Sequence, residues 1–525
     1  MHFRSVTTSI VSLAIVGWLL LGVACGGGSS SSSTTTTDSS ASGSPSLNGP
    51  GNPGGSAMVD ASVAGSTMTK DQLGANLLIE VPESADPTYV PLLANAGIGL
   101  IRWPGGQVSD VYHWQTNSFG PCANTSATPA AGTNFDSWMQ NIVQPLHADV
   151  AITVNYGSNP NCTGPADPNE AAAWVDYANN VQHYGIKYWT IGNEQYFPEV
   201  DLHSSAHDPT TYANAVATQF YPLMKSKDPS ILVGIDVAFG NQTYDLGSDN
   251  WDKIVLANAQ YDFVEIHYYP EYDNVDNDAL LLSKWSDQVA INYATINSLL
   301  AANGHANAPI FLGEFVRDAG SGVGAGHETV SIVDALFTAI VVAEGSKAGV
   351  GLSTVFLGID NCYADSLSSP ISTAYGWQSF GSFGLYATGT PNFIYSCPDL
   401  GVAGRTPFPK GRAYQMLRQF IQPGEHNLQA TSSDPSVRVY AATSGGGYAV
   451  LLINTDSQAT HSVPLNIANA PAQSYNATAI TYGKAEYDQS LQGVWAGPTS
   501  SSIGPVGTGF NVSLPPWSMT LIKMQ

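Results

Sequence analysis

The stretch Tyr188-Trp-Thr-Ile-Gly-Asn-Glu-Gln-Tyr196 opens as an aromatic, β-branched, apolar run and then passes through one glycine into Asn193 and Glu194. A strand that ends in a core has no packing reason to finish on a charge. The run spans Ile186–Asn193, and seven others resemble it: Leu73–Glu80, Ile98–Pro104, Val150–Tyr156, Ile231–Ala238, Phe263–Tyr269, Pro309–Phe315 and Gly351–Ile359. Helix-like stretches lie between them, at Phe135–Leu146, Asn169–His183, Pro209–Lys225 and Ala279–Ala302. In the first of these, Phe135, Trp138, Met139, Ile142 and Leu146 share one face. Strands that alternate with helices build a parallel sheet. Eight such units over roughly 290 residues are the size of a (β/α)8 TIM barrel. An open doubly wound sheet needs fewer strands, and no glycine-rich phosphate loop follows the first run.

After a last helix near Gly411–Phe420 the texture changes. Val437–Ala442, Tyr448–Asn454, Ser462–Ile467, Ala477–Tyr482 and Phe510–Lys523 are strand-like runs separated by Gly, Pro, Ser and Asn. The expected architecture is a catalytic barrel over 71–422 followed by a β-sandwich over 423–525. Residues 58–70 are expected to add a strand to that sandwich.

The N-terminus reads as an export signal over residues 1–25. Arg4 supplies the positive charge, Ile10–Ala24 is almost wholly apolar, and Gly22-Val23-Ala24 gives the small-x-small cleavage pattern. Cys25 follows at once, which resembles a bacterial lipoprotein signal with Cys25 as the lipidated residue. Residues 26–57 are nearly all Gly, Ser, Thr and Pro and read as a disordered tether. The expected location is therefore the bacterial cell surface or periplasm by lipid anchor, or otherwise the secreted fraction. Four cysteines remain, Cys122, Cys162, Cys362 and Cys397, and an even number in an exported chain suggests two disulfides. The pairs expected are Cys122–Cys162 and Cys362–Cys397, each in loops at one end of the fold. No CxxC spacing suggests zinc, and no metal or cofactor is expected.

Asp and Glu number 41 against 17 Lys and Arg, a formal charge of −24, while charged residues make up only 11% of the chain. That balance excludes a nucleic-acid partner, because there is no cationic surface to displace counterions. It also excludes attraction to an anionic membrane, leaving a lipid anchor as the one route to a bilayer. The Gly, Ser, Thr, Asn, Tyr and Trp that replace charges suit neutral polysaccharide or oligosaccharide substrates.

In a TIM barrel the reacting side chains collect at the C-terminal ends of the strands. The polar residues there are Arg102, Asn155, Asn193, Glu194, His267, Tyr269 and Glu314. Glu194 and Glu314, 120 positions apart in the chain, would face one another across the barrel mouth. Two such carboxyls are what glycoside cleavage requires: one protonates the leaving oxygen, and the other attacks the sugar or activates water. Arg102 could keep the nucleophile ionised, Asn193 could bond a sugar hydroxyl, and Tyr269 could orient the nucleophile. Trp103 and Trp114 offer faces for sugar rings.

At these residues the chain resembles clan A glycoside hydrolases, and within them glycoside hydrolase family 51, the α-L-arabinofuranosidases. Arg102–Trp114, "RWPGGQVSDVYHW", looks like that family's Arg-aromatic-Pro-Gly-Gly segment ending in Tyr-x-Trp. Ile152–Asn180 is similar to its Val-Asn-x-Gly strand and following helix, Ile186–Glu194 to its acid/base strand, and Ile266–Pro270 to the segment with a tyrosine near the nucleophile. The resemblance implies a retaining O-glycosyl hydrolase with Glu194 as general acid/base and Glu314 as nucleophile. Two segments differ. The nucleophile run reads "FLGEF" where the family usually has Asp-Glu-Trp-Asn, and Thr116–Phe135 replaces an Asp-Gly-Ile-Gly-like segment. Related barrels with β-sandwiches act as endoglucanases, xylosidases and β-glucuronidases, which are the alternatives for substrate. A non-catalytic sugar-binding surface lipoprotein is the alternative in kind.

Overall fold

The computed structural model describes residues 55–121, 128–197, 208–238, 251–271, 277–319, 326–364, 378–390 and 396–525. All eight apolar runs are strands of one closed barrel. In chain order they are Gly74–Asn76, Leu100–Trp103, Asp149–Val154, Tyr188–Ile191, Leu232–Asp236, Phe263–Tyr268, Ile310–Phe315 and Leu352–Val355. Every neighbouring pair is parallel, and the eighth strand closes onto the first through Thr354–Gly74 and Val355–Ala75. The strands are shorter than the apolar runs that encode them. The fourth ends at Ile191, so Asn193 and Glu194 sit in the turn beyond it.

The helices read from the sequence lie between the strands, each with an apolar face turned to the barrel wall. Trp138 and Ile142 on one, and Trp174 and Val175 on the next, are almost wholly buried. The helix Ile332–Ala348 is buried along most of its length. It also meets the second domain, where Tyr440 donates to Glu344 Oε1 at 2.9 Å.

That second domain is a nine-stranded, mostly antiparallel sheet. Along Val437–Ser444 and Gly447–Asn454 the side chains alternate. Tyr440, Ala442, Leu451 and Ile453 join the core shared with the barrel, while Val439, Ala441, Val450 and Leu452 face the other way. The latter pack with Val463, Leu465, Val512 and Leu514 from the opposite end of the sheet, so the sheet folds over its own core as a sandwich. The strand Ala57–Thr67 pairs antiparallel with His426–Ser432 and parallel with His461–Ala468. The run expected as a single strand at Phe510–Lys523 is two, Gly509–Leu514 and Ser518–Met524, because Pro515 and Pro516 cannot donate to a ladder.

Cys362 and Cys397 form a disulfide with their Cα atoms 4.6 Å apart. Cys162 is also disulfide-bonded; its expected partner Cys122, the signal segment with Cys25, and most of the tether lie outside the described residues.

Candidate active site

The barrel interior is built in layers. Its floor is apolar: Leu100, Ala151, Tyr188, Phe263, Phe311 and Leu352 fill one level. Side chains two positions further along a strand return to the same face, so the next level holds Arg102, Thr153, Thr190 and Glu265. It is polar and closed to solvent, with each of these at most 1% exposed. Above it, at the mouth, lie Asn193, Glu194, His267, Tyr269 and Glu314.

Arg102 is the hub. Its Nη1 donates to Glu314 Oε1 at 2.8 Å and to Asn76 Oδ1 at 3.1 Å. Its Nη2 donates to Asn193 Oδ1 at 2.7 Å. Its Nε lies 2.5 Å from Glu265 Oε1, an ion pair whose N–H is out of line for a hydrogen bond. Burial opposes the charge on the guanidinium, but Glu265, Glu314 and further carboxylates hold it fully protonated. Tyr269 donates its hydroxyl to the other oxygen of Glu314, Oε2, at 2.5 Å. Glu314 is thus gripped at both oxygens, from the second strand and from the end of the sixth.

A bulge aims Glu314 at this cluster. Leu312 pairs with Ile266 and Glu314 pairs with His267, so Gly313 has no partner on the sixth strand. The extra residue turns the side chain that follows it, as bulges beside functional sites do.

Glu194 arrives differently. Gly192 has φ 80° and Glu194 itself has φ 51°, a left-handed conformation that side chains other than glycine, asparagine and aspartate seldom adopt. The turn is held from beneath by Gln195, whose amide donates to Asp110 Oδ2 at 2.9 Å and to the Asn193 carbonyl at 3.1 Å. Asp110 also accepts from the Asn193 backbone at 3.3 Å. Burial pushes the Asp110 carboxyl up to about 8, and pushes Asp236, near Gln195 on the fifth strand, well above its ordinary value. Glu194 Oε1 receives His267 Nδ1 at 2.8 Å and the Tyr196 hydroxyl at 3.2 Å. Its side chain keeps 23% exposure, whereas that of Glu314 keeps 6%.

His267 stands between the two carboxylates. Its Nδ1 is 2.8 Å from Glu194 Oε1 and 3.7 Å from Glu314 Oε2, and its Nε2 is 3.2 Å from Glu265 Oε1. Burial disfavours the cation, but Glu314, Glu194 and Glu265 outweigh it and push the ring up to about 10. Glu194, His267 and Glu314 each offer an atom within 4.8 Å of the others, a spacing that could also hold a metal ion. Both ring nitrogens already meet carboxylate oxygens, Nδ1 that of Glu194 and Nε2 that of Glu265.

Several residues expected here lie elsewhere. Trp103 is fully buried outside the barrel wall, stacked on Trp138 at 4.8 Å between ring centres, and has no free face for a sugar. It neighbours Arg102 on a strand, so the two side chains point to opposite sides. Trp114 packs on Trp174 and Tyr177, and its indole donates to the Glu170 carbonyl at 3.2 Å. Asn155 bonds its own loop, to the Ser158 carbonyl at 3.1 Å and from the Ser158 amide at 3.1 Å. The site also takes in Asn76, Asp110, Gln195, Tyr196, Asp236 and Glu265, which the strand-end rule does not mark. Glu265 interrupts the apolar run "FVEIHYY" two positions before His267, and that spacing was the available signal.

No family-wide sequence profile matches the chain. It is 28% identical over 208 residues to intracellular exo-α-(1→5)-L-arabinofuranosidase 1 of Bacillus subtilis, covering 35% of this chain and 39% of that enzyme. It is 30% identical over 185 residues to α-L-arabinofuranosidase C of Emericella nidulans, covering 30% of this chain and 32% of that one. The chain therefore spans well under half the length of the curated relatives it matches. Among solved structures, the α-L-arabinofuranosidase of Thermotoga maritima superposes with a TM-score of 0.66 over 90% of this chain and 100% of that one, at 16% identity. The family 51 arabinofuranosidase of Xanthomonas axonopodis pv. citri gives 0.62 over 90% and 99%, at 15% identity. In local sequence the chain is a homologue of α-L-arabinofuranosidases, and in fold it is similar to the barrel-plus-sandwich enzymes of glycoside hydrolase family 51.

Proposed function

We propose that the protein is a retaining glycoside hydrolase, acting on α-L-arabinofuranosides in plant or microbial oligosaccharides or polysaccharides. The observation that carries this reading is the separation of the two carboxylates. Oxygens of Glu194 and Glu314 lie within 4.8 Å of one another, both beside His267. Retaining enzymes hold their carboxyl pair about 5 Å apart, and inverting enzymes need several ångströms more to admit a water.

The surroundings divide the roles. Glu314, nearly buried and gripped by Arg102 and Tyr269 at its two oxygens, is placed to stay ionised and attack the anomeric carbon. The C–O bond to the leaving group breaks as the Glu314 ester forms. Glu194, more open to solvent, gives its proton to the departing oxygen and later takes one from the water that hydrolyses the ester. Asn193 is fixed through its Oδ1 by Arg102, which leaves its amide N–H groups to donate to a sugar hydroxyl. The tyrosine, the arginine and the acid need no cofactor for this chemistry.

The arabinofuranoside assignment draws on the names of the relatives. A panel of nitrophenyl α-L-arabinofuranoside, β-xyloside, β-glucoside and β-glucuronide tests it. The arabinofuranoside should be turned over fastest, with the activity lost in Glu194→Ala and Glu314→Ala. Preference for another glycoside would replace the substrate, and activity that survives both substitutions would remove the mechanism.

We also infer that the chain works outside the cytoplasm, tethered through Cys25. The signal-like N-terminus and the Cys362–Cys397 disulfide support this, since disulfides persist in oxidising compartments. Membrane fractionation of the native chain and of Cys25→Ser tests it: the native chain should sediment with membranes and the variant should be released.

A further inference from the structure

We propose that Glu265 is a positioning residue of this site: a buried carboxylate that fixes Arg102 and His267 together and, through them, sets both Glu194 and Glu314. The proposal rests on the glycosidase reading above.

Glu265 is 1% exposed and stands on the sixth strand, one step below His267 on the barrel's inner face. One oxygen, Oε1, lies 2.5 Å from Arg102 Nε and 3.2 Å from His267 Nε2. The other accepts from the Thr190 hydroxyl of the fourth strand. Arg102 goes on to Glu314 and Asn193, and His267 goes on to Glu194. Each reacting carboxylate is therefore one side chain removed from Glu265.

Charge explains why a carboxylate belongs there. Arg102 and a protonated His267 bring two positive charges into a space closed to water, and an ionised Glu314 brings one negative charge. An uncompensated buried charge is costly. Glu265 supplies the second negative charge, so the four groups are neutral together. Burial works against ionisation of Glu265, but Arg102 and His267 prevail and hold its carboxyl below its ordinary value. The other titratable groups facing His267 are Glu194, Glu314 and Asp236, and burial raises the Asp236 carboxyl well above its ordinary value.

The seventh strand carries an independent sign. A Cβ placed on Gly313 would overlap Glu265 Oε1 and come within 2.6 Å of its carboxyl carbon. The residue beside the proposed nucleophile thus forgoes a side chain, and the vacated space admits the carboxylate of the neighbouring strand.

The test combines kinetics with the ring state of His267. In Glu265→Gln, kcat should fall by at least about tenfold while KM changes by less than about twofold, as expected when ground-state binding is untouched. The His267 ring, followed by nitrogen NMR and assigned with His267→Gln, should titrate at least about one pH unit lower than in the native protein, having lost a neighbouring negative charge. Gly313→Ala keeps the charge but displaces the carboxylate, and should reproduce the loss of kcat. If Glu265→Gln does not fold, Gly313→Ala carries the test, since moving the carboxylate away from His267 Nε2 should lower both kcat and the pH at which the ring titrates. A His267 titration that does not move, with or without a loss of kcat, overturns the proposal and leaves Glu265 a packing residue. The ring titration needs no substrate, so failure of the glycosidase reading, seen as a native protein with no turnover, is recorded separately.

Discussion

Arg102 Nη1 and Glu314 Oε1 meet at 2.8 Å with both side chains nearly or wholly withdrawn from solvent. Such a contact is weak evidence for stability as a pair, but removing one partner leaves the other charge stranded. Arg102→Gln strands Glu314 and Glu265 together. It should lower unfolding free energy by about 3–5 kcal/mol, read by denaturant titration, and abolish turnover. Arg102→Lys should recover little, since an ammonium cannot replace a planar fork that reaches Glu314, Asn76 and Asn193 at once.

Tyr269→Phe removes one hydroxyl and leaves Glu314 bonded to Arg102. We expect kcat to fall about 10- to 100-fold with KM nearly unchanged, since the bond serves the attacking group rather than substrate binding. Stability should change by no more than about 1–2 kcal/mol, the scale of one buried hydrogen bond.

Trp103 offers a contrast. It packs against Trp138, Tyr112, Phe135 and Trp174 on the outer side of the barrel wall. Trp103→Ala should cost about 3–5 kcal/mol of stability through the cavity it leaves. Well below its lowered melting temperature, the variant should keep its KM. A raised KM in folded protein would return Trp103 to the substrate site.

His267 gives a pH signature. Its ring is raised from an ordinary value of 6.5 to about 10 in the fold. A group raised in this way contributes stability that is complete below about 6.5 and lost as pH climbs through 10. The stability gap between the native protein and His267→Gln should therefore be widest near pH 6, at about 3 kcal/mol or more. It should narrow steadily toward pH 10. Denaturation midpoints at pH 6, 8 and 10 check the slope.

The barrel was legible because its strands are buried on both faces and read as continuous apolar runs. All eight runs became strands, although each strand is shorter than its run. The mouth was legible where a polar residue ends a run, as with Glu194, His267 and Glu314. Two things escaped that rule. Asn76 and Glu265 lie within runs, one step below the mouth, where only the alternation with their neighbours could have revealed them. Trp103 misled because it sits at a strand end but on the opposite parity to Arg102. The glycine in "FLGEF" looked like a departure from the family pattern, and its meaning depended on a contact across strands. The space it leaves is filled by Glu265, 48 positions earlier in the chain, which no local pattern records.

The mechanism stands or falls on a covalent bond between Glu314 and the sugar. Azide rescue of Glu314→Ala tests it most directly, with nitrophenyl α-L-arabinofuranoside as substrate. Removing the nucleophile should cut turnover by at least about 10⁴-fold. Added azide should restore it by occupying the vacated space, giving a glycosyl azide of inverted anomeric configuration. Hydrolysis at the native rate by Glu314→Ala, or a dead variant on which azide has no effect, would rule out Glu314 as the nucleophile.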